Sequence, residues 1–251
     1  MLDIIDHNSV RELRLARPPV NALNPALVTA LATAIKQAPA DARALVVSGR
    51  EGLFSAGLDV PELLQLDRAG MTGFWGQFFG LLETVARSPI PIVAAITGHS
   101  PAGGAVLGIF CDYRVMSRGD YVIGLNETRV GLLIPEVIQN ALIRLTGAHR
   151  AERLIVAGAL LSPEQALDAG MVDALSDNPA STVVDAIEWC DQHIALPAHA
   201  MLGNRQSLRR DIHRQFDALS DDDVTAFVDG WFDADAQNTL KELVAQLKSK
   251  S

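Results

Sequence analysis

Glu127 has the residue type and the setting best suited to chemistry in this 251-residue chain. It ends the apolar stretch Ile123-Gly-Leu-Asn-Glu127, and a second apolar stretch, Val130-Gly-Leu-Leu-Ile-Pro135, follows it. A lone glutamate at a strand end is usually a solvated surface residue. The apolar flanks indicate instead a buried carboxyl group, whose pKa burial raises. Such a group can serve as a general base and then as a general acid.

Two segments of small residues precede Glu127. Phe54-Ser-Ala-Gly-Leu-Asp59 follows a predicted strand, and Gly98-His-Ser-Pro-Ala-Gly-Gly104 leads into a predicted helix. Glycines let the backbone approach a ligand closely, and free N–H groups at a helix start suit a developing oxyanion or a phosphate. A tight turn and close helix packing are the alternative interpretations. No Gly-Lys-Ser/Thr follows the second segment, so nucleotide hydrolysis is disfavoured.

The elements that must position these residues alternate between strand and helix, which indicates an α/β sheet. Residues 1–195 are predicted to form this α/β core, and residues 196–251 a helical region that caps the core or forms a trimer. Helix is predicted throughout the chain after Asn178, with breaks at Pro197 and near Ser220. The predicted strands cover a pair in 2–16, then 44–48, 91–96, 113–117, 121–125 and 171–175. The predicted helices begin at Asn24-Pro25 and continue with 71–87, 102–111, 135–145, 148–157 and 163–169.

The composition is that of a soluble globular protein, with 49% apolar and 20% charged residues. These values exclude a disordered chain. The net charge of −9 argues against nucleic acid as a partner, because nucleic acid requires an extended basic face. It also means that a phosphorylated ligand must find positive charge locally.

The cellular setting predicted from the sequence is the cytoplasm. The chain starts directly with a strand-like Met-Leu-Asp-Ile-Ile and shows neither a secretory nor an organellar leader. Its longest apolar stretch, 90–96, has the length of a strand rather than of a membrane span. Cys111 and Cys190 lack metal-ligand spacing, which favours a reduced protein without a metal site.

Taken together and in order, these segments resemble the crotonase (enoyl-CoA hydratase/isomerase) superfamily over nearly the whole chain. The resemblance implies a spiral of β-β-α units with a C-terminal helical region, assembled as a homotrimer or hexamer. The matching blocks are Ala42-Arg-Ala-Leu-Val-Val-Ser-Gly49 with Phe54-Ser-Ala-Gly-Leu-Asp59, Pro91-Ile-Val-Ala-Ala-Ile-Thr-Gly98 with Pro101-Ala-Gly-Gly104, Cys111-Asp-Tyr-Arg114, and Leu161-Ser-Pro-Glu-Gln-Ala-Leu-Asp-Ala-Gly-Met-Val-Asp173.

The same resemblance implies an acyl-CoA thioester as substrate, with no separate cofactor and no metal. The thioester oxygen would be held by the backbone N–H groups of Leu58 and Gly103. Ser55 and Ala56, with Gly57 in the same loop, would lie beside the adenine and pantetheine of CoA. Arg17, Arg50 and a lysine near the C-terminus are the candidates for the CoA phosphates. The acyl chain length is expected to depend on residues 60–73 and on the C-terminal helices.

The catalytic acids select the reaction within the superfamily. Hydratases carry two glutamates that activate water, and Val106 replaces one of them here. A single carboxylate is enough for a 1,3-proton shift. Pro-Ala-Gly-Gly, Cys-Asp-Tyr-Arg and Ile-Gly-Leu-Asn-Glu-Thr also resemble the mitochondrial-type 3,2-enoyl-CoA isomerases. In these, the glutamate matching Glu127 is the acid/base, and the asparagine matching Asn126 contacts the substrate. Turning the chain is the alternative role for Asn126.

The prediction is therefore an isomerase that converts 3-enoyl-CoA to 2-trans-enoyl-CoA in fatty-acid β-oxidation. The alternatives are another crotonase-type acyl-CoA enzyme (a hydratase, hydrolase or decarboxylase) and a non-catalytic acyl-CoA-binding homologue. Outside the site, Asp59 and Asp112 are expected to fix loops through hydrogen bonds. Asp221-Asp-Asp223 is expected to begin a helix rather than bind a metal.

Overall fold

A computed structural model describes residues 1–249 of the chain, with side chains as far as Gln246. The larger of its two sheets has the strand order β1-β2-β3-β5-β7-β9, and the smaller has the order β4-β6-β8. The strands are β1 (Leu2–His7), β2 (Val10–Leu15), β3 (Ala44–Ser48), β4 (Gly52–Leu53), β5 (Ile92–Ile96), β6 (Gly98–Pro101), β7 (Tyr113–Ser117), β8 (Ile123–Gly124) and β9 (Ala174–Ser176).

Twelve α-helices lie within the described residues. Those before the last large-sheet strand are α1 (Pro25–Gln37), α2 (Val60–Leu63), α3 (Arg68–Ala86), α4 (Gly103–Ile109), α5 (Glu136–Thr146), α6 (Ala148–Ala157) and α7 (Pro163–Ala169). Those after it are α8 (Pro179–Ile194), α9 (Ala198–Leu208), α10 (Arg210–Ala218), α11 (Asp221–Trp231) and α12 (Ala234–Ser249). Among all the residues that the structure describes, no helix is both long and apolar enough to cross a membrane.

The chain repeats a β-β-α unit three times, as predicted for the crotonase spiral. In each unit the first strand joins the large sheet and the second joins the small one: β3 and β4, then β5 and β6, then β7 and β8. All pairs among these strands are parallel. Their carboxyl ends therefore meet at one edge of the small sheet, where loops can build a site.

The central strands of the large sheet are apolar without alternation because helices cover both faces. Every residue of β3 and β5 is buried. On one face, Val46 and Val93 pack with Ala186 and Cys190 of α8, and the main core fills the other face. Cys111 and Cys190 are both buried and unpaired.

The sequence predicted most elements but missed the short ones. β4, β6 and α2 were not expected, because two to four residues rich in Gly, Ser and Pro carry no periodic signal. The strand expected over 121–125 forms only at Ile123–Gly124, and that over 171–175 shifts to Ala174–Ser176. Asn24 caps α1 as predicted, by accepting a hydrogen bond from the Leu27 N–H.

Among the C-terminal helices, α10 and α11 pack on α3, α10 also packs on α5, and α12 packs on α2. The gap between α8, which ends at Ile194, and α9, which begins at Ala198, coincides with the predicted boundary at 195/196. The division into two units stays a prediction. Asp223 forms a capping box with Ser220 at the start of α11, as expected for the acidic run.

Candidate active site

The three chemistry-bearing segments come together because each follows one strand of the small sheet. Leu58 lies in the loop after β4, Gly103 comes two residues after β6, and Glu127 comes three residues after β8. The parallel pairing of β6 with both neighbours places these loops side by side. The topology thus unites residues that are about 70 positions apart along the chain.

The two expected oxyanion donors lie against each other. A side-chain carbon placed on Gly103 would sit 3.3 Å from the Leu58 nitrogen, and one on Gly57 would sit 3.2 Å from the Gly103 nitrogen. Gly57 also has φ +90°, which L side chains rarely adopt. Among the described residues, the Leu58 and Gly103 N–H groups have no hydrogen-bond acceptor. On either side of Leu58 the backbone is paired, since the Leu23 N–H donates to the Gly57 carbonyl and the Asp59 N–H donates to the Leu23 carbonyl. Both donors are therefore free for a ligand.

Ala102 turns the chain from β6 into α4 with φ +49° and ψ −124°. This conformation is strained for a residue with a side chain, and such strain concentrates at functional sites. The Ala102 N–H donates to the carbonyl of Gly124 at 2.8 Å, which ties the turn to β8. The strained turn thus fixes Gly103 relative to the segment that carries Glu127.

Glu127 begins a 3-10 turn, Glu127–Val130, rather than ending a strand as expected. β8 is too short to reach it, because its pairing with β6 stops at Gly124. The Thr128 hydroxyl donates to the Ile155 carbonyl at 2.7 Å and so anchors the turn to α6. The Leu132 N–H donates to the Glu127 carbonyl at 3.0 Å and closes it. The glutamate backbone is therefore held from two sides.

The carboxyl group of Glu127 is enclosed without a cation. Part of the residue reaches the surface, but the Oε2 atom is buried and has no hydrogen-bond partner among the described residues. Burial raises the pKa of Glu127 to about 7, and a hydrogen bond from its own backbone N–H offsets this only in part. The group is therefore poised to gain or lose a proton near neutral pH.

A single apolar pocket joins these parts. Its empty space, including the open space at its mouth, is about 650 Å³. Glu127 is the only titratable group among the described residues that line it. The lining residues are Leu58, Trp75, Phe78, Gly103, Val106, Glu127, Leu132, Leu133, Ile134, Pro135, Ile138, Ala226, Phe227 and Gly230.

The remaining predicted contact residues lie nearby in different ways. The Asn126 Oδ1 atom, next to Glu127, is buried and unpartnered. Ala56 is half-buried, whereas the Ser55 side chain is fully buried. The Ser55 hydroxyl donates to the Asn21 carbonyl at 2.8 Å and accepts from the Gly57 N–H at 3.2 Å. The Ser55 side chain thus holds the loop, and the position of Ser55 beside CoA stays a prediction.

The two predicted phosphate-binding arginines differ in how free they are. Arg17 forms ion pairs with Asp59 at 2.7 Å and Glu62 at 3.1 Å, so its charge is matched. Arg50 is exposed and donates to the Pro19 carbonyl at 2.8 Å. Of the C-terminal lysines, Lys250 and the Lys248 side chain lie outside the described residues.

Sequence reasoning missed the aromatic wall of the pocket. Trp75 and Phe78 come from α3 and Phe227 from α11. The helical spacing of α3 indicated an apolar face, but nothing local showed that α11 would pack on it. None of residues 60–73 is among the described residues that line the pocket. The pocket therefore does not support the prediction that these residues set the acyl chain length.

Comparison with known proteins shows the family of the chain. The family model described as enoyl-CoA hydratase/isomerase matches residues 6–249. The chain belongs to the enoyl-CoA hydratase/isomerase family. The human protein named enoyl-CoA delta isomerase 1, mitochondrial, is 31% identical to this family member over 247 residues, covering 96% of this chain and 81% of the human one.

Solved structures of family members place the chain in the crotonase fold. The crystal structure of human mitochondrial delta3-delta2-enoyl-CoA isomerase matches with a TM-score of 0.95 at 29% identity, covering 100% of this chain and 99% of that one. A probable enoyl-CoA hydratase of Bacillus subtilis is 31% identical over 182 residues, covering 70% of this chain and 69% of that one. The family therefore includes relatives named for both isomerisation and hydration.

Within residues 1–249, no cluster of three or more His, Cys, Asp or Glu side chains could hold a metal ion. Asp59 and Asp112 fix loops, as predicted. Asp59 accepts from the Glu62 N–H at 3.0 Å, and Asp112 accepts from the Ile92 N–H at 2.8 Å.

Proposed function

We propose that the protein is a 3,2-enoyl-CoA isomerase that moves the double bond of a 3-enoyl-CoA to position 2, giving the 2-trans-enoyl-CoA. The observation that carries the proposal is the isolation of Glu127. It is the only titratable group in the described pocket lining, and two free N–H donors lie in the same pocket. The matches to human mitochondrial enoyl-CoA isomerase, at 31% identity in sequence and 29% in structure over nearly the whole chain, support it.

The mechanism is a proton transfer by one carboxylate. Ionised Glu127 removes a proton from C2 of the substrate, and the electrons move into the thioester to form a dienolate. The Leu58 and Gly103 N–H groups hold the oxygen on which negative charge develops. Protonated Glu127 then returns the proton to C4, and the double bond settles between C2 and C3. Atoms and charge balance without any further reactant.

The apolar lining suits this reaction better than water addition. By the family resemblance, Val106 takes the place of the first of the two hydratase glutamates. It is only 2% exposed and can neither hold nor deprotonate water. A dry pocket protects the dienolate and strengthens the oxyanion contacts. A pKa of about 7 lets Glu127 act as base and acid within one turnover.

The surroundings suggest how CoA is held. We assign Ser55, Ala56 and Gly57 to the adenine and pantetheine of CoA and Asn126 to the substrate. Arg50 is assigned to the phosphates, since the charge of Arg17 is already matched. CoA enters as part of the substrate, so the reaction needs no separate cofactor. Assembly as a homotrimer or hexamer, a role in fatty-acid β-oxidation and a cytoplasmic location complete the proposal.

The test is incubation with 3-hexenoyl-CoA. The expected result is a rise in the ultraviolet absorption of the conjugated 2-enoyl thioester, with the thioester intact and no 3-hydroxyacyl product. Loss of the thioester without conjugation would instead show a hydrolase. Hydroxyacyl-CoA as the main product would show a hydratase, and binding without any product would show a non-catalytic homologue.

A further inference from the structure

The two oxyanion donors differ in how their backbone is supported. Gly103 is the first residue of α4, so the helix itself fixes its backbone. Leu58 lies instead in the irregular stretch 54–59, between β4 and α2. Hydrogen bonds weaken steeply when the donor points away from the acceptor. The alignment of the Leu58 N–H with a substrate oxygen therefore depends on contacts from elsewhere in the chain.

The segment that precedes α1 supplies these contacts. The Leu23 N–H donates to the Gly57 carbonyl at 2.7 Å, and the Leu23 carbonyl accepts from the Asp59 N–H at 3.0 Å. The Gly57 carbonyl belongs to the same planar peptide unit as the Leu58 N–H. Holding the carbonyl therefore fixes the direction of the N–H on the other side of that unit. A hydrogen bond to the carbonyl also polarises the peptide and strengthens its N–H as a donor.

Asn21 joins this segment to the loop that carries Leu58. It is 1% exposed, and its side-chain amide donates to the Phe54 carbonyl at 3.1 Å. Its backbone carbonyl accepts from the Ser55 hydroxyl at 2.8 Å, and its Oδ1 atom accepts from the Arg17 N–H at 2.9 Å. Asn21 is not among the described residues that line the pocket. It therefore acts on the backbone of the loop rather than on a ligand.

The backbone at Asn21 explains why the residue is an asparagine. Its φ of +49° lies in the left-handed region, which asparagine tolerates better than most residues with a side chain. Glycine would adopt this φ but could make neither side-chain hydrogen bond. Aspartate would still accept from the Arg17 N–H, but its second oxygen would face the Phe54 carbonyl. Asparagine alone of these three residues satisfies the backbone and both partners.

We propose that Asn21 is a positioning residue of the isomerase, which orients the Gly57–Leu58 peptide so that the Leu58 N–H meets the thioester oxygen on which charge develops. The inference rests on the proposed function. An oxyanion contact strengthens as the negative charge grows, so its alignment matters most in the transition state. Loss of Asn21 should therefore slow the proton transfer and change substrate binding little.

The kinetic test compares Asn21→Asp and Asn21→Gly with wild type on 3-hexenoyl-CoA. In both variants kcat should fall roughly tenfold to a hundredfold, less than the ~10²–10³-fold that follows removal of a whole oxyanion donor. KM should stay close to the wild-type value, and kcat/KM should still level off above a pKa of about 7, since Glu127 is unchanged. Asn140→Asp is the matched control. The Asn140 amide donates to the Gln215 side chain at 2.8 Å, outside the described pocket lining, so this variant should keep the wild-type kcat.

A second measurement reads the oxyanion contact without turnover. In the infrared spectrum of bound 2-hexenoyl-CoA, labelled with ¹³C at the thioester carbonyl, wild type should shift the carbonyl stretch to lower wavenumber. Both Asn21 variants should shift it less, and Asn140→Asp should shift it as wild type does. If wild type shows the shift but does not convert 3-hexenoyl-CoA, the proposed function fails and the positioning role of Asn21 is still decided by the variants.

Two results would overturn the positioning role. One is a wild-type kcat and a wild-type carbonyl shift in both Asn21 variants. The other is a lowered melting temperature or a raised KM with both kcat and the carbonyl shift unchanged, which would show a structural role only. If Asn21→Asp does not fold, Asn21→Gly decides the question, because glycine adopts the left-handed conformation without strain.

Discussion

Two largely enclosed carboxylates in this protein have opposite surroundings. Asp112 accepts hydrogen bonds from Arg205 at 2.7 Å and from Arg209 at 3.0 Å, and its side chain is 10% exposed. Burial alone would raise the pKa of Asp112, but the two guanidinium groups hold it below its usual range. Glu127 has no cation beside it in the described structure, and burial raises its pKa to about 7. One acid is locked in its charged form, and the other is free to change.

The difference shows that the surroundings of a carboxyl group decide whether it has a structural or a chemical role. Asp112 holds its charge permanently and joins the loop after α4 to α9 and its end, through two arginines that also bind the carbonyls of Ser88 and Phe110. Glu127 lies in apolar surroundings where neither protonation state is strongly favoured at neutral pH. A carboxyl group thus links parts of the fold at Asp112 and carries a proton at Glu127.

The sharpest way to break this comparison is Glu127→Gln. The amide keeps the shape of the side chain but cannot remove a proton, so conversion of 3-hexenoyl-CoA should fall ~10²–10⁴-fold or more. Binding of the CoA ester, measured by calorimetry, should persist. Glu136→Gln is the matched control, since this exposed carboxylate begins α5 outside the pocket lining. Equal turnover by wild type and Glu127→Gln would remove Glu127 as the base.

Asp112→Asn tests the other side of the comparison. Removing the charge leaves Arg205 and Arg209 enclosed without a matching anion, which should cost about 3–5 kcal/mol in the free energy of unfolding. Urea unfolding followed by circular dichroism measures it. Because the folded pKa of Asp112 is lowered, its contribution is present above the ordinary carboxyl range and is lost as pH falls below it. A decrease of less than about 1 kcal/mol in the free energy of unfolding at neutral pH would contradict the structural role of Asp112.

The difference in stability between wild type and Glu127→Gln should depend on pH in the sense opposite to that of Asp112→Asn. A folded pKa raised from 4.5 to about 7 means that folding favours the protonated form. Its stabilising contribution is present below pH 4.5 and is lost as pH rises through about 7. The glutamine variant should therefore match wild type at low pH and exceed it by roughly 3 kcal/mol at high pH. A constant difference between the two across this range would contradict a desolvated Glu127.

The smallest effect is expected at an exposed ion pair. Arg68 and Asp229 have side chains that are 57% and 61% exposed, so solvent screens their attraction. Asp229→Asn should cost less than about 1 kcal/mol in urea unfolding, and added salt should reduce the difference further. A loss as large as that of Asp112→Asn would mean that burial is not what separates these pairs.

The parts of the site that depend on the main chain could be predicted from the sequence. The glycines around Leu58 and Gly103 and the apolar flanks of Glu127 are local signals that survive in a single sequence. Short strands such as β4 and β6 could not be predicted, because their order comes from pairing with distant segments. The partners of Asp112 were hidden for the same reason, since Arg205 and Arg209 lie more than ninety positions further along the chain.

The part of the pocket wall that α11 supplies could not be predicted from the sequence either. Phe227 meets Trp75 only after the C-terminal helices pack on α3, and helical periodicity shows an apolar face without showing its partner. The hydrogen bonds of the Ser55 hydroxyl with the Asn21 carbonyl and the Gly57 N–H could not be predicted either, because they form only in the folded loop.

The most direct test of the account is the pH dependence of wild-type kcat/KM. A 3-hexenoyl-pantetheine substrate avoids the titrating phosphate of CoA, so the profile reports the free enzyme. If desolvated Glu127 is the proton carrier, kcat/KM rises as one proton is lost and levels off above a pKa of about 7. A flat profile, or a break near the ordinary glutamate value of 4.5, would contradict the account.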